Sequence, residues 1–543
     1  MVFARRSTTL LAAIIASCAM VLSLTACTSD NKTVVDGQTT VTSNSAGGVA
    51  VFTPSDGITL NQQTPLNKWA KLVHDLTKAL VDAGFKKGDI NHTTSDSLDK
   101  QSRAIQDFVV DHLSNNTTDD SGIAIAPENM TLLVAPVVEA DASTRQYGDY
   151  ISQNLSTNDA TDGEATSDGE SSEDDSSKDD SSNTESDSTA SDEQAQAVDR
   201  LVSSLKLAKE SGMHVVLLGN SIEGYKPDAF VKFSDAQTIG KLQAEKMVSK
   251  LKLDKASKDN PKYIEVLLPY TAVDEKGNAN DSTFAQEAFR GIWQVLGSYY
   301  QKGVVESPSG TLDGKSTEND WQAVAYDAAK EGSTAKVLDK RLAKTDGQST
   351  LTRIDGIITM NDYIASEVVK ELDDLGYTGS AADINPQITI SGIVGNITGK
   401  KDLSRDAVPD PIKSPENDNA NDSSSSDDDA DEDTSASDKD RDSQWPLVTG
   451  YGAYVSNIPS IVNGKQWMTG MEDRQTIATD IAQACAKLNK DEALNSMPSI
   501  RNSEVGGVKK IPTISEPLLA VSASNLKSAL IDPGYISLAD AGL

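Results

Sequence analysis

Residues 353 to 377, RIDGIITMNDYIASEVVKELDDLGY, leave little choice other than a strand followed at once by a helix. Ile354, Ile357 and Ile358 form a β-branched run suited to a buried parallel strand, and it stops at the polar pair Asn361-Asp362. Ile364, Val368, Val369 and Leu372 then recur at helical spacing, and Gly376 stands where a left-handed cap ends a helix. This is half of a βαβ unit. Ligands of open α/β sheets sit beyond the carboxyl ends of the strands, so Asn361 and Asp362 are candidate contacts. The alternative is that the pair only turns the chain, with Asp362 capping the helix.

The same unit recurs along most of the 543 residues. A strand from Gly48 to Phe52 exits at Thr53-Pro54-Ser55-Asp56, and a helix carries Leu66, Trp69, Val73, Leu76 and Leu80. A second helix follows with Ile105, Phe108, Val109 and Leu113, then the strand TLLVAP at 131 to 136. Val198 to Ala208 is helical, HVVLLGN is a strand exiting at Asn220-Ser221, and Val231 to Phe233 is a short strand exiting at Ser234-Asp235. Later pieces are a strand from Tyr263 to Leu268, a helix around Phe289, a helix from Trp321 to Ala329 and a strand from Ile388 to Val394. Trp445 to Val448 leads into Thr449-Gly450-Tyr451-Gly452. Strands alternating with helices at this spacing predict an α/β protein with doubly wound parallel sheets.

Two acidic tracts interrupt the pattern. Between 157 and 194 there are 14 acidic residues against one basic, and between 406 and 442 there are 14 against three. Most of the net charge of −33 therefore belongs to these tracts, read as disordered surface insertions that bury too little to offset their ordering entropy. With no basic stripe to neutralise phosphates, nucleic acid is excluded as a partner.

At the start, Arg5 and Arg6 precede an apolar run from Leu10 to Leu24, a secretory signal rather than a membrane span. Leu24-Thr25-Ala26-Cys27 resembles a bacterial lipobox, which implies cleavage after residue 26, lipid on Cys27 and a polar tether through residue 48. Of three cysteines, Cys485 alone then remains free, and it shares a helical face with Ile481 and Leu488 as a core residue would. The four histidines, His74, His92, His112 and His214, have no metal-ligand spacing, so no metal is predicted. GNITGKK at 395 to 401 spaces its glycines wrongly for a phosphate loop, and Gly219-Asn220-Ser221 lacks the glycine that a nucleophile elbow needs after the serine. Neither an enzyme nor a cofactor is predicted.

In order along the chain, Lys68-Trp69, Phe233-Ser234-Asp235, Gly240, Gln243, Asn361-Asp362, the segment VTGYGAYVSNIPSIVNGKQWMTGMED and the closing Pro512, Pro517, Asn525 and IDPGY resemble the type I periplasmic sugar-binding proteins, especially the xylose and multiple-sugar binders. The resemblance implies two α/β lobes joined by three crossovers. The first lobe would comprise 49–232 plus 471–500, with an acidic insertion at 152–194, and the second 233–470 plus 501–543, with an insertion at 404–443. It also implies a monomer, lipid-anchored on the outer face of a bacterial membrane, that captures a pentose, hexose or short oligosaccharide by hinge closure and delivers it to ABC permease subunits. Ligand contacts carried over by position are Lys68, Asn220, Ser221, Asp235, Asn361, Asp362 and Tyr451.

Several of these depart from the family. Asn220-Ser221 stands where the family has Asp-Arg, Tyr451-Gly452 where it has Gln-Asp, and Lys68 replaces an arginine. Tyr451 is either a stacking platform or a loop aromatic packed on its own lobe. The alternative function is a non-transport sensory or scaffolding surface protein whose sugar cleft has degenerated.

Overall fold

A strand covered by helices on both faces must be apolar at successive positions, and strand β1, Gly48–Pro54, meets that demand. Val49 and Val51 pack on one side with helices α1, Trp69–Asp82, and α7, Arg474–Leu488, the latter carrying the buried Cys485. Ala50 and Phe52 pack on the other side with α2, Leu98–Asn115, and α3, Glu185–Glu210. The structure, a computed structural model, describes residues 34–35, 38–39, 46–56, 65–115, 125–138, 144, 146–157, 185–273, 280–328, 330–343, 351–381 and 445–543. Val34–Val35 and Gln38–Thr39 form a two-stranded antiparallel ladder in a unit that ends at Ser45, and Ala46–Leu543 make a second unit. Cys27 and the acidic cores of both insertions lie outside the described residues, as does the strand expected at 388–394.

Among the described residues the second unit holds two large sheets. The first also contains β2 (Ile90–Ser95), β3 (Met130–Val134), β4 (His214–Leu218), β5 (Ala229–Lys232), β11 (Ile500–Val505) and β12 (Val508–Ser515). Its order is β11-β12-β5-β4-β3-β1-β2, parallel except for the β11–β12 hairpin. The second contains β6 (Lys262–Val266), β7 (Val305–Glu306), β8 (Gly356–Ile358), β9 (Leu447–Tyr451), β10 (Met468–Met471) and β13 (Leu519–Ser522). Its order is β7-β6-β8-β9-β10-β13, parallel except for β13. Both sheets are thus wound alike, with the first strand of each lobe between the second and the third. The fold is the expected one of two doubly wound parallel α/β lobes.

Among the described residues the chain passes between sheets three times, at 233–235 before α4 (Ala236–Leu251), at 472–473 before α7, and at 516–518 before β13. The last crossing corrects the expected boundary. Residues 501–515 do not join the second lobe, because the hairpin β11–β12 pairs in parallel with β5 of the first. The first insertion is also shorter than expected at both ends. Asn154–Leu155 pair in parallel with Ser221–Ile222, and helix α3 already starts at Glu185.

Local differences have local causes. The helix predicted over 321–329 stops at Val324, because Ala325–Tyr326 turn extended and pair with Leu268–Pro269. Strand β2 has no apolar run to announce it: it lies at the sheet edge with Asn91 to Thr94 exposed. The opening unit forms as predicted, with β8 followed by α6, Asp362–Leu375, whose C-cap Gly376 is left-handed at φ 90°.

Helices α4 and α5, Thr283–Gln301, meet through two glycines. A Cβ on Gly240 would lie 2.2 Å from the Ala288 carbonyl oxygen, and one on Gly291 2.0 Å from that of Gln237. Backbone cannot yield as a side-chain tip can. Gly291→Val is expected to lower stability by about 1–3 kcal/mol through overpacking, read as a lower urea midpoint at unchanged slope.

Candidate functional site

Parallel strands end together, so each lobe gathers its loops at one edge, and the crevice lies where the winding reverses. In this protein the two edges meet. At the end of β9, the buried Tyr451 hydroxyl receives a hydrogen bond from Asn67 Nδ2 at 3.1 Å and lies 2.5 Å from Ser234 Oγ, just beyond β5. Leu66 N donates to the Gly452 carbonyl at 2.8 Å. At the second crossing Glu472, also buried, accepts from Ser234 N at 2.6 Å and from the Tyr451 hydroxyl at 3.5 Å. Arg474 adds an ion pair with Asp75 at 2.6 Å and lies over the Tyr535 ring at 4.4 Å, tying α1 to the C-terminal segment.

Asn361 and Asp362 divide the work that the sequence left open. Asn361 is the N-cap of α6, its Oδ1 accepting from Ile364 N at 2.9 Å. Asp362 points into its own lobe instead. Its carboxylate accepts from Gln466 Nε2 at 2.7 Å, Tyr454 N at 2.9 Å and Thr469 Oγ1 at 2.9 Å. A Cβ on Gly450 would lie 2.1 Å from Oδ1, so the absence of a side chain there makes room for the carboxylate. Burial pushes the Asp362 carboxyl up to about 6 against the pull of these donors, and it pushes Glu472 up to about 7.

Between the two edges lies the chain that leaves β3. Gln146 Oε1 accepts from Asn361 Nδ2 at 3.0 Å, and the Gln146 carbonyl accepts from the Tyr454 hydroxyl at 2.7 Å. Asp149 pairs with Lys68 at 2.9 Å and accepts from Trp69 N at 3.2 Å, at the start of α1. Burial raises the Asp149 carboxyl to about 6, with Lys68 opposing and Asp56 reinforcing the shift. Tyr150 donates to the Lys68 carbonyl at 2.5 Å and stacks on Phe233 with centroids 4.8 Å apart. Gln153 N donates to Asn220 Oδ1 at 2.9 Å, while Asn220 Nδ2 donates to the Pro136 carbonyl at 2.9 Å. Ser221 N donates to the Gln153 carbonyl, and its hydroxyl donates to Asn154 Oδ1 at 2.8 Å.

Of the seven residues named from the sequence, Lys68, Asn220, Ser221 and Asn361 are joined by hydrogen bonds to residues 146–154, and the Tyr451 ring lies 6.3 Å from that of Tyr147. Tyr451 is thus neither an open platform nor packed on its own lobe alone. Asp235 caps α4 through Thr238 N at 2.7 Å and pairs with Lys232 at 3.0 Å. Gln146, Tyr147, Asp149 and Tyr150 were not foreseen. Their signal is the run QYGDYI, aromatic and aliphatic residues in an otherwise polar stretch. Beside Lys68 a cavity of about 380 Å³ is lined by Asp56, Leu66 and Lys71 of the first lobe and by Val455, Tyr535 and Asp540 from beyond β9. Among the described residues no helix is long and apolar enough to cross a membrane, and no cluster of His, Cys, Asp and Glu is arranged to hold a metal.

The sequence matches no protein-family model and no curated protein. Among solved structures it is similar to an ABC transporter solute-binding protein from Clostridium phytofermentans with bound β-D-glucose, at 16% identity over 91% of this chain and 99% of that one, TM-score 0.44. It is also similar to a carbohydrate transporter solute-binding protein from Chloroflexus aurantiacus in complex with D-glucose, at 18% identity over 92% and 98%, TM-score 0.42. A third is the arabinose-binding protein AraP of Geobacillus stearothermophilus, at 10% identity over 89% and 99%, TM-score 0.41.

Carboxyls raised by burial give a pH dependence of definite sign, and the two fully buried ones illustrate it. Glu472 and Asp362 hold protons in the folded chain at pH values where the unfolded chain has released them, so stability falls as pH rises from about 4 to about 7. Glu472→Gln keeps an acceptor for Ser234 N and removes the charge. It is expected to abolish on the order of 2 kcal/mol of the loss between pH 5 and pH 8, measured by urea unfolding at the two pH values.

Proposed function

We propose that this chain is an extracytoplasmic solute-binding protein that captures a small sugar between its lobes by hinge closure and hands it to the permease of an ABC importer, with a lipid on Cys27 holding it to the membrane. The observation that carries this reading is the meeting of two strand-end edges, wound alike and joined by three short crossings at 233–235, 472–473 and 516–518. That geometry places polar side chains of both lobes on one small volume and lets the lobes rotate about the crossings. Asn361, Lys68, Asn220 and Ser221 are the proposed sugar contacts at the two edges, with Tyr451 beneath them; Asp235 and Asp362 hold their own elements. No covalent step is needed, because hydroxyls are recognised by exchange of hydrogen bonds with planar amides and charged groups.

A second reading, a sensory or scaffolding surface protein that carries no solute, is favoured by one observation: the edge groups already have protein partners at residues 146–154.

Thermal unfolding of the purified full-length protein against pentoses, hexoses and short oligosaccharides separates the two readings. A sugar bound with micromolar affinity and supplied at about a thousandfold excess is expected to add about 4 kcal/mol and raise the midpoint by several degrees. No shift with any sugar favours the second reading. Cys27→Ser is expected to move the protein from the membrane fraction to the soluble one, and retention in the membrane fraction argues against the anchor.

A further inference from the structure

We propose that residues 146–155 are a tethered occupant of the inter-lobe cleft, joining the lobes where a free ligand would, and that a sugar must displace them to bind. The second part rests on the sugar reading above; the first does not.

The segment starts from the right place. It belongs to the connection from β3 to α3, and β3 lies beside β1 at the reversal of the first sheet's winding. Ligands of doubly wound sheets sit at that point, so the chain itself runs through the position.

Its side chains are shared between the lobes. Tyr147 and Ile151 are buried in the core of the second lobe, where the Tyr147 ring lies 4.7 Å from that of Phe284 on α5. Tyr150 and Leu155 are buried in the two halves of the first-lobe core. The polar groups divide in the same way, Gln146 bonding to Asn361 and Tyr454 of the second lobe and Asp149 to Lys68 and Trp69 of the first. An amide, a carboxylate and aromatic faces are the groups that satisfy strand-end donors and fill the apolar gap between them. Being part of the same chain, the segment competes at an effective concentration that a dissolved ligand seldom matches.

Gly148 is the point on which the seating turns. Its φ of 100° is strained for any residue with a Cβ, and a Cβ there would lie 2.6 Å from Asn67 Cβ and 2.7 Å from the Asn67 carbonyl oxygen. The Asp149 amide in turn donates to that same carbonyl at 2.8 Å. A side chain at 148 therefore clashes with Asn67 and pushes the segment off the first lobe.

The test uses the full-length protein, the Gly148→Val variant and, as an independent lesion, the Gln146→Ala/Tyr147→Ala double variant. Hydrogen exchange on the unaltered protein should show amides of 146–155 exchanging as slowly as those at the end of β9; exchange within seconds overturns the proposal without recourse to a variant. In both variants, small-angle scattering should report a larger radius of gyration, and amides near Asn67, Ser234 and Tyr451 should lose protection. With D-glucose and D-xylose as probes, at least one should bind either variant tenfold or more tightly than it binds the unaltered protein. Opening without sugar binding by any form upholds the occupant and sinks the sugar reading. Equal sugar affinity in all three forms overturns the occupant and leaves the sugar reading standing. Variants that stay as compact and protected as the original overturn the proposal.

Discussion

A polar group removed from water must find a partner within the protein, and this requirement governs the middle of the molecule. Parallel winding delivers the strand ends of each lobe to one edge, and the three crossings hold those edges against one another. Asn220, Asn361, Asp362, Tyr451 and Glu472 are all buried there. Each is satisfied by neutral donors and acceptors rather than by a counter-charge: Asp362 by Gln466, Thr469 and the Tyr454 amide, Glu472 by the Ser234 amide and the Tyr451 hydroxyl. Neutral partners do not repay the full cost of burying a carboxylate, which is why both carboxyls sit above their ordinary range.

The remaining edge groups are completed by the chain between β3 and α3. A solvated cleft would leave Asn361 Nδ2, Asn220 Oδ1 and the Lys68 ammonium to water; here Gln146, the Gln153 amide and Asp149 meet them. The apolar side chains on the same segment give that arrangement its hydrophobic driving force, since Tyr147, Tyr150 and Ile151 are nearly inaccessible to solvent. Asn220 uses both ends of its amide, one toward Pro136 and one toward Gln153, as a carboxylate could not.

The elements that were legible in the sequence are those whose evidence is local. The apolar runs of β1, β3, β4 and β8, the helical spacing of α6 and the left-handed Gly376 are each visible within one turn or strand of chain. Strand β2 was not, because an edge strand with four exposed polar positions carries no hydrophobic pattern. The hairpin β11–β12 was not read as strands and was assigned to the second lobe, since sheet membership is decided by a pairing with β5, more than 270 residues earlier in the chain.

The sequence by itself determined the fold class, the alternation that makes two doubly wound sheets, and the positions of the polar strand exits, because periodicity and capping act over a few residues. Only the tertiary structure decided what those exits touch. Asp362 turns inward because Gly450 leaves room for it, Asn361 reaches Gln146, and Lys68 reaches Asp149, contacts spanning from about 80 to about 215 residues. Such partners are chosen by the facing of two edges and by the satisfaction of buried polar groups, and neither is written in any one stretch of the chain.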